Sequence, residues 1–133
     1  MIFVDTGAFV GRYLPGDQHH PAALAGWDLI KHRRLPCWTS NLVVSETITL
    51  LARRAGYAFA AQKARLIYSS SILQVLRPNA DDEAAALDWL EKFADQEVSF
   101  TDCLSFSLMR RHKLRQAFTF DRHFNLAGFE NLR

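Results

Sequence analysis

The sequence predicts a three-layer α/β/α sandwich built around a mainly parallel central sheet of four to five strands. Short apolar runs without alternation, Ile2-Phe3-Val4 and Ala117-Phe118-Thr119-Phe120 among them, read as strands buried on both faces. Segments with apolar residues at helical spacing separate these runs, so strands and helices alternate along the chain. The length of 133 residues fits one domain spanning 1–133. A composition 49% hydrophobic and 23% charged describes a folded chain that can bury a core without disulfides or structural metal.

The first strand covers residues 2–4 and stops at Asp5 and Thr6. A short helix over 7–14 follows and is broken by Pro15-Gly16-Asp17. From His20 to Arg33, Ala23, Leu24, Trp27 and Ile30 recur on one helical face, with Pro21 tolerated in the first turn. A second strand spans 36–39. Ser40 or Asn41 then caps a helix that runs to Ala55 and ends at Gly56. The next helix covers 57–68, and a third strand covers 71–76, closed by Arg77-Pro78-Asn79. Asn79 or Asp81 opens a helix through Phe93 whose apolar face is Ala86, Leu87, Leu90 and Phe93. Ser99 begins a helix to His112, a fourth strand covers 117–120 and ends in Asp121, and a weak last strand falls within 129–132. Neither repeats nor low-complexity segments interrupt this order.

The net charge of +2 permits a nucleic-acid partner without demanding one. Lys31, Arg33 and Arg34, then Arg53 and Arg54, then Arg110, Arg111, Lys113 and Arg115 all fall near predicted helix C-termini, where positive charge suits the helix dipole. Cys37 and Cys103 lack metal-ligand spacing and sit among apolar residues, as buried thiols of a reducing compartment do. The N-terminus enters a strand directly, without a basic leader or long apolar stretch, so a cytoplasmic, soluble protein with no membrane contact is expected. Trp27, Trp38, Trp89 and the ten phenylalanines read mainly as core, and His19-His20 reads as a solvated loop pair.

Most acidic residues suit helix first turns, loops or solvated faces. Four do not. Asp5 and Asp121 each follow an apolar strand, at the edge where parallel sheets bind ligands. Glu46 is the lone charge between Leu42 and Ala52, so a helix buried on most sides is expected to carry it against a partner. Asp102 opens a largely apolar helix. Each has a structural explanation: Asp5 as a helix cap, Glu46 as the partner of an arginine (though Arg53 is too far along the same helix to be an easy one), Ser99 and Asp102 as a capping box, Asp121 as the cap of the Asp121-Arg122-His123 turn. Together they require two strand ends and two helix starts to deliver carboxylates by coincidence. If they converge, repulsion raises their pKa values unless a cation intervenes. Hard oxygen donors suit magnesium or manganese, one or two ions, and such a site implies hydrolysis of a phosphodiester.

These residues also resemble a known family. Ile-Phe-Val-Asp-Thr-Gly-Ala-Phe (2–9) resembles the opening of PIN domains, and Asn-Leu-Val-Val-Ser-Glu-Thr (41–47) resembles their helix carrying the second acid. Ser-Phe-Thr-Asp-Cys (99–103) and Thr-Phe-Asp-Arg-His-Phe (119–124) resemble the third and fourth acidic segments, in order. The resemblance implies a metal-dependent ribonuclease using Mg²⁺ or Mn²⁺, with Asp5, Glu46, Asp102 and Asp121 as its acidic, metal-holding site. It also implies Thr6 as a hydroxyl neighbour and Thr101 and Asn41 as supporting residues. Arg122, and after it Arg12, are the expected RNA contacts. Stand-alone domains of this size resemble VapC-type toxins of toxin–antitoxin pairs, which implies an RNA substrate, a small antitoxin and a homodimer. The alternatives are a PIN-like module that binds RNA or protein without cutting, and an RNA-processing nuclease without an antitoxin. Asp5-Thr6-Gly7 also matches the aspartic-protease triplet, but those proteins are all-β. A phosphatase with Asp5 as nucleophile would want a second Asp where Gly7 stands.

Overall fold

The structure, a computed structural model, describes residues 1–133. Five strands form one sheet: β1 (Ile2–Val4), β2 (Cys37–Ser40), β3 (Leu73–Leu76), β4 (Gln116–Phe118) and β5 (Glu130–Asn131). Their order is β3-β2-β1-β4-β5, and every neighbouring pair is parallel. The helices are α1 (Thr6–Tyr13), α2 (His20–Arg33), α3 (Asn41–Ala55), α4 (Tyr57–Ser69), α5 (Ala80–Lys92), α6 (Phe100–Arg111) and α7 (His123–Leu126).

Alternation along the strands shows how both faces are covered. Phe3 pairs with Ala117, and its ring meets Phe124 of α7, which packs against Phe106 of α6. One residue on, Val4 pairs with Phe118, whose ring meets Trp27 of α2 on the opposite face. Ile2, Phe3 and Val4 are all essentially inaccessible, as a strand between two helical layers must be. Close approach of α2 depends on Gly26, where an added Cβ would lie 2.4 Å from Phe118 Cζ. The Trp27 indole N–H donates to the Ala8 carbonyl at 3.0 Å and ties α2 to α1.

Three helices start on side-chain caps. Ser40 Oγ accepts from Val43 N, Asn79 and Asp82 form a reciprocal capping box, and Ser99 Oγ accepts from Asp102 N. Gly56 at φ 96° ends α3 as expected, a conformation that favours glycine. Both cysteines are buried and free, and burial pushes the Cys37 thiol up to about 11. No helix is long and apolar enough to cross a membrane.

Several expectations are corrected. β4 ends at Phe118 rather than Phe120, because Thr119 turns its hydroxyl to Asp5 and to the Asp121 N–H. The unexpected short helix α7 follows where only a turn was foreseen. Leu24, Leu87 and Leu90 are exposed, since the buried stripes run through Ala23, Trp27 and Ile30 in α2 and through Asp82, Ala86 and Phe93 around α5. Glu46 is exposed too: Ser45, Glu46 and Thr49 form the solvent side of α3, so its charge needs no buried partner. His19 and His20 are half-buried rather than solvated. His19 stacks on Phe120 with ring centroids 4.3 Å apart, and a His20 ring nitrogen lies 2.7 Å from the Gly11 carbonyl.

Candidate active site

Because β1 and β4 are adjacent and parallel, their C-terminal ends open onto the same edge of the sheet. Asp5 N–H donates to the Phe118 carbonyl at 3.0 Å, which holds Asp5 beside the start of the Thr119–Asp121 segment. Asp5 occupies the N-cap position of α1 but makes no side-chain cap bond. Its Oδ2 instead accepts from the Thr119 hydroxyl at 2.8 Å. The same hydroxyl oxygen accepts from Asp121 N–H at 3.0 Å, so one threonine joins two acids.

Asp102 stands at the third position of α6. Its backbone N–H reaches Ser99, but its carboxylate does not return to the Ser99 N–H, unlike Asp82 in the complete box of α5. The Asp102 side chain is thereby left to the sheet edge. Asp121 caps its own turn, with Oδ1 accepting from His123 N–H at 2.8 Å. Glu46 approaches from α3. All four acids line one open cleft of about 740 Å³, together with Thr6, His19, Arg54, Ser99, Phe120, Arg122 and His123.

Electrostatics records the convergence. Burial raises the Asp5 carboxyl to about 6, against the pull of the Thr119 hydroxyl and the Thr6 backbone, and the charges of Glu46 and Asp121 push it further. Asp102 is driven much higher by burial and by Asp5, Asp121 and Glu46. Neither acid has an arginine or lysine partner, whereas Asp82 and Asp17 are paired with Arg111 and Arg54 and lie below the usual range. Burying like charges together is unfavourable without a cation, and the donor set is one of hard oxygens. Thr6 lines the cleft, and its buried hydroxyl has no hydrogen-bond partner. The residues therefore fit a divalent ion. Asp102, Asp121 and His123 bring one ligand atom each to within 4.8 Å of the others.

A family profile of the PIN domain matches residues 2–130. This chain belongs to the PIN-domain family. Over 133 residues it is 38% identical to the 23S rRNA-specific endonuclease VapC20 of Mycobacterium tuberculosis, covering 100% of this chain and 98% of that protein. The crystal structure of VapC20, described as a sarcin–ricin loop cleaving toxin, superposes with a TM-score of 0.86 at 36% identity over 97% of this chain and 96% of that one. FitAcB from Neisseria gonorrhoeae shares the fold at a TM-score of 0.66 and 17% identity, over 100% of this chain and 97% of that one.

The remaining residues singled out from the sequence divide around the PIN-domain cleft. Arg122 lines it, exposed and without an ion pair. Arg12 does not: its guanidinium lies 4.7 Å from the Trp27 ring centroid, in a separate pocket beside Tyr13 and Leu24. Thr101 and Asn41 also lie outside the cleft lining. Thr101 offers its carbonyl to Ser105, and the Asn41 side-chain oxygen is buried without a partner. Sequence reasoning missed Thr119, His123, His19 and Arg54. Thr119 sits inside an apolar strand pattern and gives no signal of its own. His123, two residues after Asp121, could have been read as part of that acidic turn.

Proposed function

We propose that this PIN domain is a metal-dependent ribonuclease that hydrolyses RNA phosphodiester bonds as the toxin of a toxin–antitoxin pair. The supporting observation is the meeting of Asp5, Glu46, Asp102 and Asp121 in one cleft, with two of them buried and held far from their ordinary protonation range. Asp5, Asp102 and Asp121 would hold Mg²⁺ or Mn²⁺, with Glu46 on the α3 side. When bound, such an ion supplies charge neutralisation at the scissile phosphate and makes attacking water easier to deprotonate. The protein's own groups do the rest. Thr119 fixes the Asp5 carboxylate and the Asp121 backbone in one geometry. Thr6, whose hydroxyl is buried without a partner, lines the cleft next to Asp5. Arg122, which lines the cleft without an ion pair, attracts the RNA backbone that the acids alone would repel, whereas Arg54 is held by Asp17.

The likeness to VapC20 over the whole chain makes 23S rRNA the first substrate to test. The same likeness supports a small antitoxin as partner and a cytoplasmic setting. A homodimer fits the exposed apolar side chains Leu24, Leu66 and Ile72, which line the same pocket as Arg12. Incubating ribosomes, naked 23S rRNA and unstructured RNA with the protein tests the reading, with and without Mg²⁺ or Mn²⁺, beside Asp5→Asn and Glu46→Gln. Cleavage that needs metal and disappears in both variants is expected. Cleavage that survives both places the activity elsewhere. RNA binding without cleavage under any metal would favour the non-catalytic module.

A further inference from the structure

We propose that His123 is itself a metal ligand of the cleft, adding a nitrogen donor to Asp102 and Asp121 and turning the site's preference from Mg²⁺ toward transition-metal ions such as Mn²⁺ and Co²⁺. This rests on the metal-dependent reading above and adds a ligand that the four acids do not include.

His123 Nε2 lies 2.9 Å from the Gln96 carbonyl oxygen. A carbonyl only accepts, so Nε2 carries the proton and donates it. In a neutral imidazole this leaves Nδ1 as a bare lone pair. That nitrogen is buried and has no hydrogen-bond partner. It nevertheless lies 2.8 Å from Asp121 Oδ1 and 3.9 Å from Asp102 Oδ2. Asp121 Oδ1 already receives the His123 backbone N–H at 2.8 Å.

Two acceptors at that separation repel unless a positive charge joins them. A proton on Nδ1 is the competing way to join them, and it would make His123 a charged partner of Asp121 rather than a ligand. An ion on Nδ1 would join not two groups but three. One ligand atom from each of Asp102, Asp121 and His123 falls within 4.8 Å of the others, a span that bonds of roughly 2.1 Å to a shared ion can cover after small adjustments. A backbone carbonyl on the second ring nitrogen is how proteins orient metal-bound histidine and fix its tautomer. The choice of ion follows from the donor. Mg²⁺ strongly prefers oxygen, while imidazole improves binding of first-row transition ions.

Pulsed EPR of the wild-type protein loaded with Mn²⁺ tests the ligand directly. A ¹⁴N coupling that becomes a ¹⁵N coupling when only histidine is ¹⁵N-labelled is expected, and this needs no variant. Calorimetry then compares ions: His123→Ala should weaken Mn²⁺ and Co²⁺ by roughly tenfold or more while changing Mg²⁺ by about twofold at most. Bound Mn²⁺ without nitrogen coupling, or equal weakening for every ion, overturns the histidine ligand and leaves the carboxylate site standing. Failure of the wild type to bind Mn²⁺ at all overturns both.

Discussion

Thr119 carries more of the site than its residue type suggests. Its hydroxyl donates to Asp5 and accepts from the Asp121 N–H, so it sets the relation between the two strand-end acids. Thr119→Val keeps the shape but removes both bonds. Asp5 then loses a donor that holds its carboxyl down, and its proton affinity rises further. The expected result is a folded protein, about 1–3 kcal/mol less stable by urea titration, with weaker Mn²⁺ binding and slower RNA cleavage. Unchanged metal affinity would show that the acids hold their places without it. At this scale the acids were legible because a carboxylate after an apolar strand has few structural reasons to be there. The threonine and His123 were not, because a hydroxyl and an imidazole fit turns and cores equally well, and only the parallel pairing of β1 with β4 shows what they touch. Glu46 was legible as a member of the site and misread in its surroundings, since Ser45 and Thr49 give α3 a polar side that a count of charges overlooks.

At the scale of elements, helix starts aim the chemistry. Asn79 and Ser99 cap α5 and α6 with the same bond, the side-chain oxygen accepting from the N–H three residues on. In α5 the third residue, Asp82, returns the bond and is also held by Arg111, so its charge is used structurally. In α6 the third residue, Asp102, returns nothing and faces the acidic cleft. Asn79→Ala and Ser99→Ala should therefore cost about 1 kcal/mol each in denaturant titrations. Only Ser99→Ala should also slow cleavage, because it frees the turn that aims Asp102. Equal loss of activity in both would mean that general loosening, not aim, is what matters. Most element bounds could be read from apolar spacing and from stops such as Gly56. The end of β4 and the presence of α7 could not, because both are decided by Thr119 and Asp121 side-chain bonds rather than by periodicity. The exposed Leu87 and Leu90 show the same limit, since spacing identifies a helical stripe but not how wide a neighbour will cover it.

For the molecule as a whole, the cleft stores instability that a bound cation would relieve. Asp5 is raised from 3.8 to about 6, and Asp102 is raised further. The folded state thus holds protons on these groups that the unfolded chain has already released. Their contribution to stability is complete below pH 3.8 and is lost as pH climbs through 6 for Asp5 and beyond it for Asp102. Asp17 and Asp82, shifted down by Arg54 and Arg111, and His112, shifted down mainly by burial, act in the opposite sense. A comparison with the wild type cancels them. Without metal, Asp102→Asn should melt above the wild type near pH 7.5, and the gap should narrow toward about pH 5. Added Mn²⁺ should raise the wild-type melting temperature strongly near pH 7.5 and that of Asp102→Asn much less, because binding to the folded state alone stabilises it in proportion to affinity. A variant that melts below the wild type without metal would mean that the carboxylates are not in mutual strain, and the case for a cation between them would lose its energetic basis.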